Sequence, residues 1–454
     1  MPHAVRRLVP AALLLAVGAL VVALQVARPA HVPSADRSEL VVDQQRAPAG
    51  TVGASDQPPS TPESTGVGTD QRSSTPESSA GHTSGPPAPA AEATPDTIGA
   101  ASGRPSAALD TAGDAAGPTD DAPVVLEATV PIELRVTATE QVSQVTGAGS
   151  VNDTAARWNV HGTDLGHPIE HGGALYLVFG DTWGADGVEG DQWRSNVMAR
   201  VADPDPRNGL RFESMIASGG TASELLPSRK VGGEEKTVIP TNGTSLNGRM
   251  FLHYMSVRTW DGAGRWTLNH AGLAYSDDDG RSWIKDPRAR WPGHSNFGQV
   301  AFVHHGEHVY LFGIPGGRFG AAVLGRVPRA AGPLDIGAYE YWDGNAWRAD
   351  AAAARPVVPG PVGELSVRWS AEHDRWLMMY LDEHRQAIVL RTAAALTGPW
   401  DEPRVVTTAA EHPRLYAPYL LPGSGAGADL YFTMSKFGPY QVFLMRTRLE
   451  PVAG

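Results

Sequence analysis

The sequence predicts an all-β protein: a five-bladed β-propeller preceded by a signal or anchor helix and a long disordered linker. Three observations carry this. A turn followed by a short apolar strand recurs five times after about Val124. A second strand follows each copy and a further one precedes it. The ninety or so residues before the repeat, by contrast, lack apolar runs.

The N-terminal elements come first. Residues 1–30 place Arg6 and Arg7 before an apolar run from Leu8 to Ala27, a basic n-region followed by an h-region. The run is long enough to stay as an anchor, and no clean small-x-small cleavage site stands before Asp36. The expectation is an exported protein, secreted or held at the outer face of the cytoplasmic membrane and associated with the cell wall. Membrane contact would be through this segment alone. Residues 31–123 are rich in Pro, Ser, Thr, Ala and Gly, with TPES at 61–64 and again at 75–78. Such a stretch buries too little apolar surface to offset its ordering entropy, so it is expected to be disordered, a tether or plain spacer. The chain has no cysteine, which excludes disulfides, thiolate metal sites and lipid attachment through a cysteine. A net charge of −12 without a basic stripe gives no support for nucleic-acid binding.

Residues 124–454 form the folded domain. The turn-plus-strand pieces are GGALYLVFGDTW (172–183), GRMFLHYMSVRTW (248–260), EHVYLFGIPGG (307–317), DRWLMMYLDEH (374–384) and ADLYFTMSKFG (428–438). Second strands follow at 197–201, 271–276, 321–327, 387–393 and 442–448. Preceding strands begin near Thr163, Pro240, Gly298, Glu364 and Ala417. Short length and β-branched and aromatic content mark them as strands, and five copies of a three- or four-stranded meander fit a propeller better than a sandwich. Ala-rich 350–354 and 393–395 are the exceptions, each a loop or a single helical turn. The string Ser276–Trp283, SDDDGRSW, has the Asp-box pattern Ser-x-Asp-x-Gly-x-x-Trp. Asp and Ser bond local backbone and Gly takes φ > 0, so this is a structural turn rather than a catalytic one.

The stretch His161–Gly184 carries the candidate chemistry. Gly172-Gly173 suits a two-residue hairpin turn. Counting outward, His171 faces Ala174 and Asp164 comes opposite Asp181, subject to a slip or bulge near Pro168. In a propeller the start of each innermost strand and the end of the next border one face near the axis. Both acids therefore fall at the mouth. Equivalent positions bring Thr241, Asn242, Gln299, Glu364 and Tyr416 from strand starts, and Ser256, Pro315, Asp382 and Ser435 from strand ends. Asp181 ends a strand apolar on both faces, so burial and a like-charged neighbour should raise the pKa of one member while the other stays ionised. Glycoside hydrolysis needs such a pair, an acid for the leaving oxygen and a base or nucleophile for the anomeric carbon. The apolar strand favours Asp181 as the acid.

Around the pair, Glu364 is a substrate-contacting or pKa-tuning residue, or else the partner of Arg368 on the same face of its strand. Asp153 and His161 stand on the approach to the first strand and could line the pocket. Trp183, Trp260 and Tyr440 could stack on sugar faces or simply pack. The substrate-binding set is thus Asp153, His161, Trp183, Asn242, Gln299, Glu364, Arg368 and Tyr416. Gly423-Ser424-Gly425 lacks the order of a nucleophile elbow, and no P-loop, HExxH or EF-hand loop is present. His304-His305 is a weak metal signal that fits a strand end as well. No metal or cofactor is expected, and the domain is expected to act as a monomer.

Several strings resemble one family in order: TGAGSVNDTAARWNVHGTDLG, LYLVFGDTW, YEYWDGNAW (339–347), ELSVRW, GPWDEP, YAPYLLP and PYQVFLMRT. They look like the actinobacterial endo-D-arabinanases, formerly a domain of unknown function, over roughly residues 140–450. The resemblance implies a five-bladed propeller that hydrolyses internal α-D-arabinofuranosyl linkages of arabinogalactan and lipoarabinomannan. It implies that the family's acidic pair falls on Asp164 of TDLG and Asp181 of FGDTW. The tether looks like an addition to the family core. An exo-acting arabinofuranosidase and a non-catalytic carbohydrate-binding propeller are the alternatives.

Overall fold

In the computed structural model, residues 133–422 and 427–452 are described. The signal segment, the whole of the linker and Gly423-Ser424-Gly425 lie outside them. The described residues form five antiparallel sheets that are the blades, and one small two-stranded ribbon, Ala217–Ser218 with Thr221–Ala222.

Blade 1 runs Gly162–His171, Ala174–Trp183, Val197–Val201 and Phe212–Met215. Blade 2 is Thr237–Leu246, Arg249–Trp260, Trp266–Ser276 and Ile284–Pro292. Blade 3 has Gln299–His305, His308–Ile314 and Ala322–Pro328, with short outer strands at Glu340–Trp342, Trp347–Arg348 and Pro356–Val358. Blade 4 is Gly363–Ser370, Arg375–Asp382, Ala387–Ala393 and Arg404–Thr408. Blade 5 takes Leu415–Leu420, Asp429–Lys436 and Gln441–Pro451, and its outermost strand is Leu134–Gln144 from the start of the domain. The repeat thus yields the expected strands nearly to the residue. The closing strand was invisible to it because LRVTATEQVSQ has no copy elsewhere in the chain. Leu134 lies opposite Pro451, Thr139 opposite Thr447 and Gln144 opposite Phe443, so first and last strands zip the ring shut.

Burial explains the strand composition. The innermost and middle strands are covered on both faces, and runs such as LYLVF at 175–179 are apolar throughout. The core lies between neighbouring blades rather than inside any one. Ile169, Tyr176 and Val178 of blade 1 meet Leu252 and Tyr254 of blade 2, while Leu377 and Leu390 of blade 4 join Phe432 and Met445 of blade 5. Each such side chain contributes about 1.5–3 kcal/mol on full burial. At the blade 1–blade 2 seam Gly243 has no Cβ because one there would stand 2.1 Å from Ile169 Cδ1.

Irregular parts follow their local chemistry. Ala351–Ala353 is a single 3₁₀ turn capped by Asp350, whereas the chain bends after Ala393. A short helix, Thr154–Trp158, was not foreseen; Thr154 Oγ1 bonds the Val160 carbonyl and folds the segment back on itself. The Asp box closes the outer hairpin of blade 2. Ser276 Oγ donates to Asp278 and accepts from the Gly280 amide, and Asp278 accepts from the Ser282 amide and hydroxyl. Those donors hold the Asp278 carboxyl down to about 2. The pattern's own Ser276, Asp278 and Trp283 bond within the turn, as a structural role requires, while Asp277 and Asp279 reach out to Arg249 and His171.

Gly243→Ala should therefore lower unfolding stability by about 1–3 kcal/mol through overpacking. Adding Ile169→Val, which removes the clashing Cδ1, should restore part of it in urea titrations. Equal midpoints for wild type and Gly243→Ala would show that the seam is looser than described.

Candidate active site

The site is set by the first hairpin of blade 1. Gly172 and Gly173 take φ of 56° and 75°, the turn that joins strands tightly. His171 pairs with Ala174, and the register runs unbroken through Pro168–Leu177 to His167–Val178. The irregularity comes later than Pro168. Leu165 and Gly166 have φ of 68° and 81°, and the ladder shifts on either side of Leu165. An extra residue on the first strand, at Gly166, is offset by one on the second, at Gly180. Register is regained at Thr163–Thr182, so inside the disturbed stretch Asp164 faces Gly180 and Asp181 together. A bulge turns side chains out of strict alternation. Here it lays Asp164 over Gly180, where any Cβ would be 2.4 Å from Asp164 Oδ1.

Each carboxyl has its own donors. Asp164 Oδ2 accepts from the Tyr416 hydroxyl at 2.8 Å, and Tyr440 also donates to this carboxyl. Asp164 Oδ1 is sealed from solvent and takes no hydrogen bond. Asp181, only 5% exposed, accepts twice on Oδ1, from Thr237 Oγ1 at 2.6 Å and Trp193 Nε1 at 2.8 Å. Burial pushes Asp164 up to about 7 despite the two tyrosines, with Glu364 adding to the rise and Arg318 opposing it. Burial pushes Asp181 up to about 7 as well, against Thr237 and with the Asp164 charge adding to it. The sequence led us to expect one raised acid; desolvation raises both, because the mouth closes over the pair from blades 1, 2 and 5.

A buried ion pair stands next to them. Arg318 Nε and Nη2 both meet Glu364 Oε1 at 2.8 Å, and Nη1 lies 3.4 Å from Glu383. The guanidinium packs over the Tyr416 ring, 4.7 Å from its centroid. Sequence reasoning named Glu364 and Tyr416 but missed Arg318, Thr237 and Trp193. The signal for Arg318 was its place in GGRFG, just past the middle strand of the third copy, where the other copies supplied mouth residues.

The remaining candidates divide. Gln299 Nε2 donates to the Gly317 carbonyl at 2.9 Å and so holds the loop that presents Arg318. Trp183 packs against Trp193 and Tyr440, centroids 5.5 and 5.6 Å apart, forming the wall beside the acids. His161 is exposed at this face, and its carbonyl accepts from Gln441. Asp153 is exposed at the start of the short helix with φ of 42°. Asn242 is turned to structure, its Oδ1 accepting the Phe302 amide between blades 2 and 3. Arg368 lies toward the other end of its strand. The acid acting on it is Glu170, next to the hairpin turn, and Glu364 takes Arg318 as partner instead. Ser256, Asp382 and Ser435 are occupied by Glu235, the 384–385 amides and the Leu165 amide. His304 bonds Thr244 at 2.6 Å. Trp260 is 40% exposed and packs edge-on to Trp266.

Ring and mouth together define a five-bladed β-propeller with two carboxyls of raised pKa at the open end of its first blade. The family model described as "Domain of unknown function (DUF4185)" matches residues 149–446, and the chain belongs to that family, the endo-D-arabinanase family that its motifs resemble. Two curated fungal proteins are similar to it. Notoamide biosynthesis cluster protein J' of Aspergillus versicolor is 33% identical over 314 residues, 64% of this chain and 84% of that one. Protein J of Aspergillus sp. (strain MF297-2) is 31% identical over 317 residues, 64% and 83% of the two chains. Among solved structures, the exo-beta-1,3-galactanase of Phanerochaete chrysosporium overlays at a TM-score of 0.44 with 10% identity, covering 69% of this chain and 65% of that one. A family 117 glycoside hydrolase of Zobellia galactanivorans overlays at 0.39 with 11% identity, covering 70% and 90%. The fold assignment rests on this chain's own sheet topology.

The raised carboxyls have a consequence for stability. A folded pKa above the unfolded value contributes stability that is fully present below the unfolded pKa, near 3.8, and lost as pH rises through about 7. Asp181→Asn keeps the Oδ1 acceptor and removes the charge. It should match wild type near pH 4 and exceed it at pH 8 by on the order of 3 kcal/mol. Thermal unfolding at both pH values checks this; a variant less stable at pH 8 would contradict the burial argument.

Proposed function

We propose that this protein is an exported glycoside hydrolase that cleaves internal α-D-arabinofuranosyl linkages of cell-wall arabinan, arabinogalactan and lipoarabinomannan, with Asp164 and Asp181 as the working pair. The observation that carries the reading is the pair itself: two carboxyls on facing strands of one hairpin, the charge of one acting on the other, both held near 7 by burial. Two interacting acids of that kind lose their protons in two steps that belong to the pair. Between the steps one is protonated and one ionised, the state that protonates a leaving oxygen while a base or nucleophile acts at the anomeric carbon. Family membership supports the substrate class. The wall of Trp183 and Tyr440 supports binding of a ring with apolar C–H faces. The domain would act alone, as a monomer without metal or cofactor, with the N-terminal segment supplying export and any membrane contact.

The fungal relatives suggest a second reading. Their names place them in a notoamide biosynthesis cluster, so the same acids could serve a small molecule rather than a wall polymer.

The test is hydrolysis of purified arabinogalactan, read as released oligosaccharides. Wild type should release short oligomers throughout the digestion. Asp164→Asn and Asp181→Asn should each lose about 10²–10⁴-fold. Monosaccharide alone would indicate exo action. Binding without release would indicate a carbohydrate-binding propeller, and neither binding nor release would favour the small-molecule reading. Variants as active as wild type would move the chemistry elsewhere. Gly180→Ala, which displaces Asp164 without touching a donor, should cost on the order of 100-fold with the fold retained by circular dichroism.

A further inference from the structure

Which of the two acids keeps the shared proton matters to the hydrolase reading, on which it rests, and is testable without it. The surroundings of Asp164 and Asp181 differ oxygen by oxygen. Asp181 takes both donors, Thr237 and Trp193, on Oδ1, which leaves Oδ2 to carry a proton. The charges acting on Asp181 are both negative, Asp164 and Glu189, and Glu189 is itself paired with Lys236 at 2.6 Å. Asp164 has one oxygen sealed against the Gly180 backbone, so its chemistry passes through Oδ2, where Tyr416 donates. Tyr440 is a second phenol on the same carboxyl. Phenol hydroxyls are stronger donors to a carboxylate than an alcohol and an indole, and a hydrogen bond to the ionised form favours that form.

We propose that Tyr416, held by Arg318 and Glu364, is a positioning residue that keeps Asp164 the ionised member of the pair and leaves the proton on Asp181. Tyr416 is 3% exposed, and its ring lies under a guanidinium that has little freedom. Arg318 is fixed by Glu364 and Glu383 of blade 4 and, through its own amide, by the Gly264 carbonyl of blade 2 at 2.9 Å. The Arg318 charge encourages the phenol to donate. On Asp164 itself Glu364 acts upward and Arg318 downward, Glu364 the more strongly, so the ion pair does not ionise the acid directly. Its effect passes through the tyrosine. Tyr419, a third phenol in this region, is electrostatically coupled to Asp164 and Glu364, without a hydrogen bond to either acid of the pair.

The proton balance follows. As the glycosidic C–O bond breaks, the Asp181 proton moves to the departing oxygen. In a single displacement Asp164 Oδ2 takes a proton from the attacking water, and exchange with solvent restores the pair. In a double displacement Oδ2 attacks the anomeric carbon, and the water that releases the ester returns a proton to Asp181. Both schemes start from the same protonation state.

The test is a ¹³C titration of the aspartate carboxyls in the whole protein, with the two signals assigned from Asp164→Asn and Asp181→Asn. As pH falls from 9, Asp181 should protonate first. Tyr416→Phe, which removes one oxygen, should raise the Asp164 midpoint by about one unit, and Arg318→Lys should raise it by less. Thr237→Val should act on Asp181 and leave Asp164 in place. Asp164 protonating first, or an unchanged Asp164 midpoint in Tyr416→Phe, would overturn the proposal. On arabinan, Tyr416→Phe should shift the acidic limb of the pH–rate profile upward and spare the alkaline limb; a uniform fall at all pH values would mark Tyr416 as plain support and also overturn it. The titration needs no turnover, so an inactive wild type would refute the hydrolase reading while still deciding this one.

Discussion

The ladder between Leu134–Gln144 and Gln441–Pro451 is the constraint on which the rest of this structure depends. A propeller buries its apolar residues between blades, so an open ring would leave two faces of blade uncovered. Closure makes every blade an interior one. It also brings blade 5 against blade 1, and only then does Tyr416 reach Asp164. Thr139 shows the join at one residue: its hydroxyl bonds the Val406 carbonyl of blade 4 at 2.7 Å and the Thr447 hydroxyl of blade 5 at 2.9 Å. The mouth is therefore a property of the closed ring rather than of the hairpin that carries both acids.

The same packing that stabilises the ring works against the carboxyls. Ionised acids lose hydration at the mouth, and the available donors recover only part of that loss. Tyr416, Tyr440, Thr237 and Trp193 all pull downward, and burial still wins at both positions. That balance has physical meaning. Four donors to two acids orient them in fixed directions, while incomplete compensation leaves them able to gain and lose a proton near neutrality. The Arg318–Glu364 pair is treated differently, with both guanidinium bonds directed at one oxygen. It brings little net charge to the mouth and acts as a rigid support against the Tyr416 ring.

Much of this was legible in the sequence, for identifiable reasons. Strand order and extent could be read because five copies of one pattern corroborate each other, and Val197–Val201 and Ala387–Ala393 fall where the residues place them. That Asp164 and Asp181 share one end of the first hairpin could be read because a two-residue turn fixes register by counting. The double bulge hid in plain view: Gly166 and Gly180 balance, so a count from the turn passes over both. Elements without a copy were missed, the closing strand and the Thr154–Trp158 helix among them. Arg318 was missed because sequence cannot show which of several mouth acids a loop arginine will reach, and Arg368, four residues from Glu364, offered a local partner that the strand's length puts at the wrong end. Thr237 and Trp193 reach Asp181 across blades or loops, contacts that no spacing encodes.

The closing ladder also fixes where the two ends of the described domain lie. Innermost strands start at the mouth, so third strands also start there and finish at the far face. Gln441, beside His161, marks the near end of the last strand, and Pro451 the far one. Leu134 pairs with Pro451, and the Val452 amide bonds the Glu133 carbonyl at 2.7 Å. Both ends of the domain therefore emerge side by side from the floor. The acids thus open on the face away from both Glu133 and Val452.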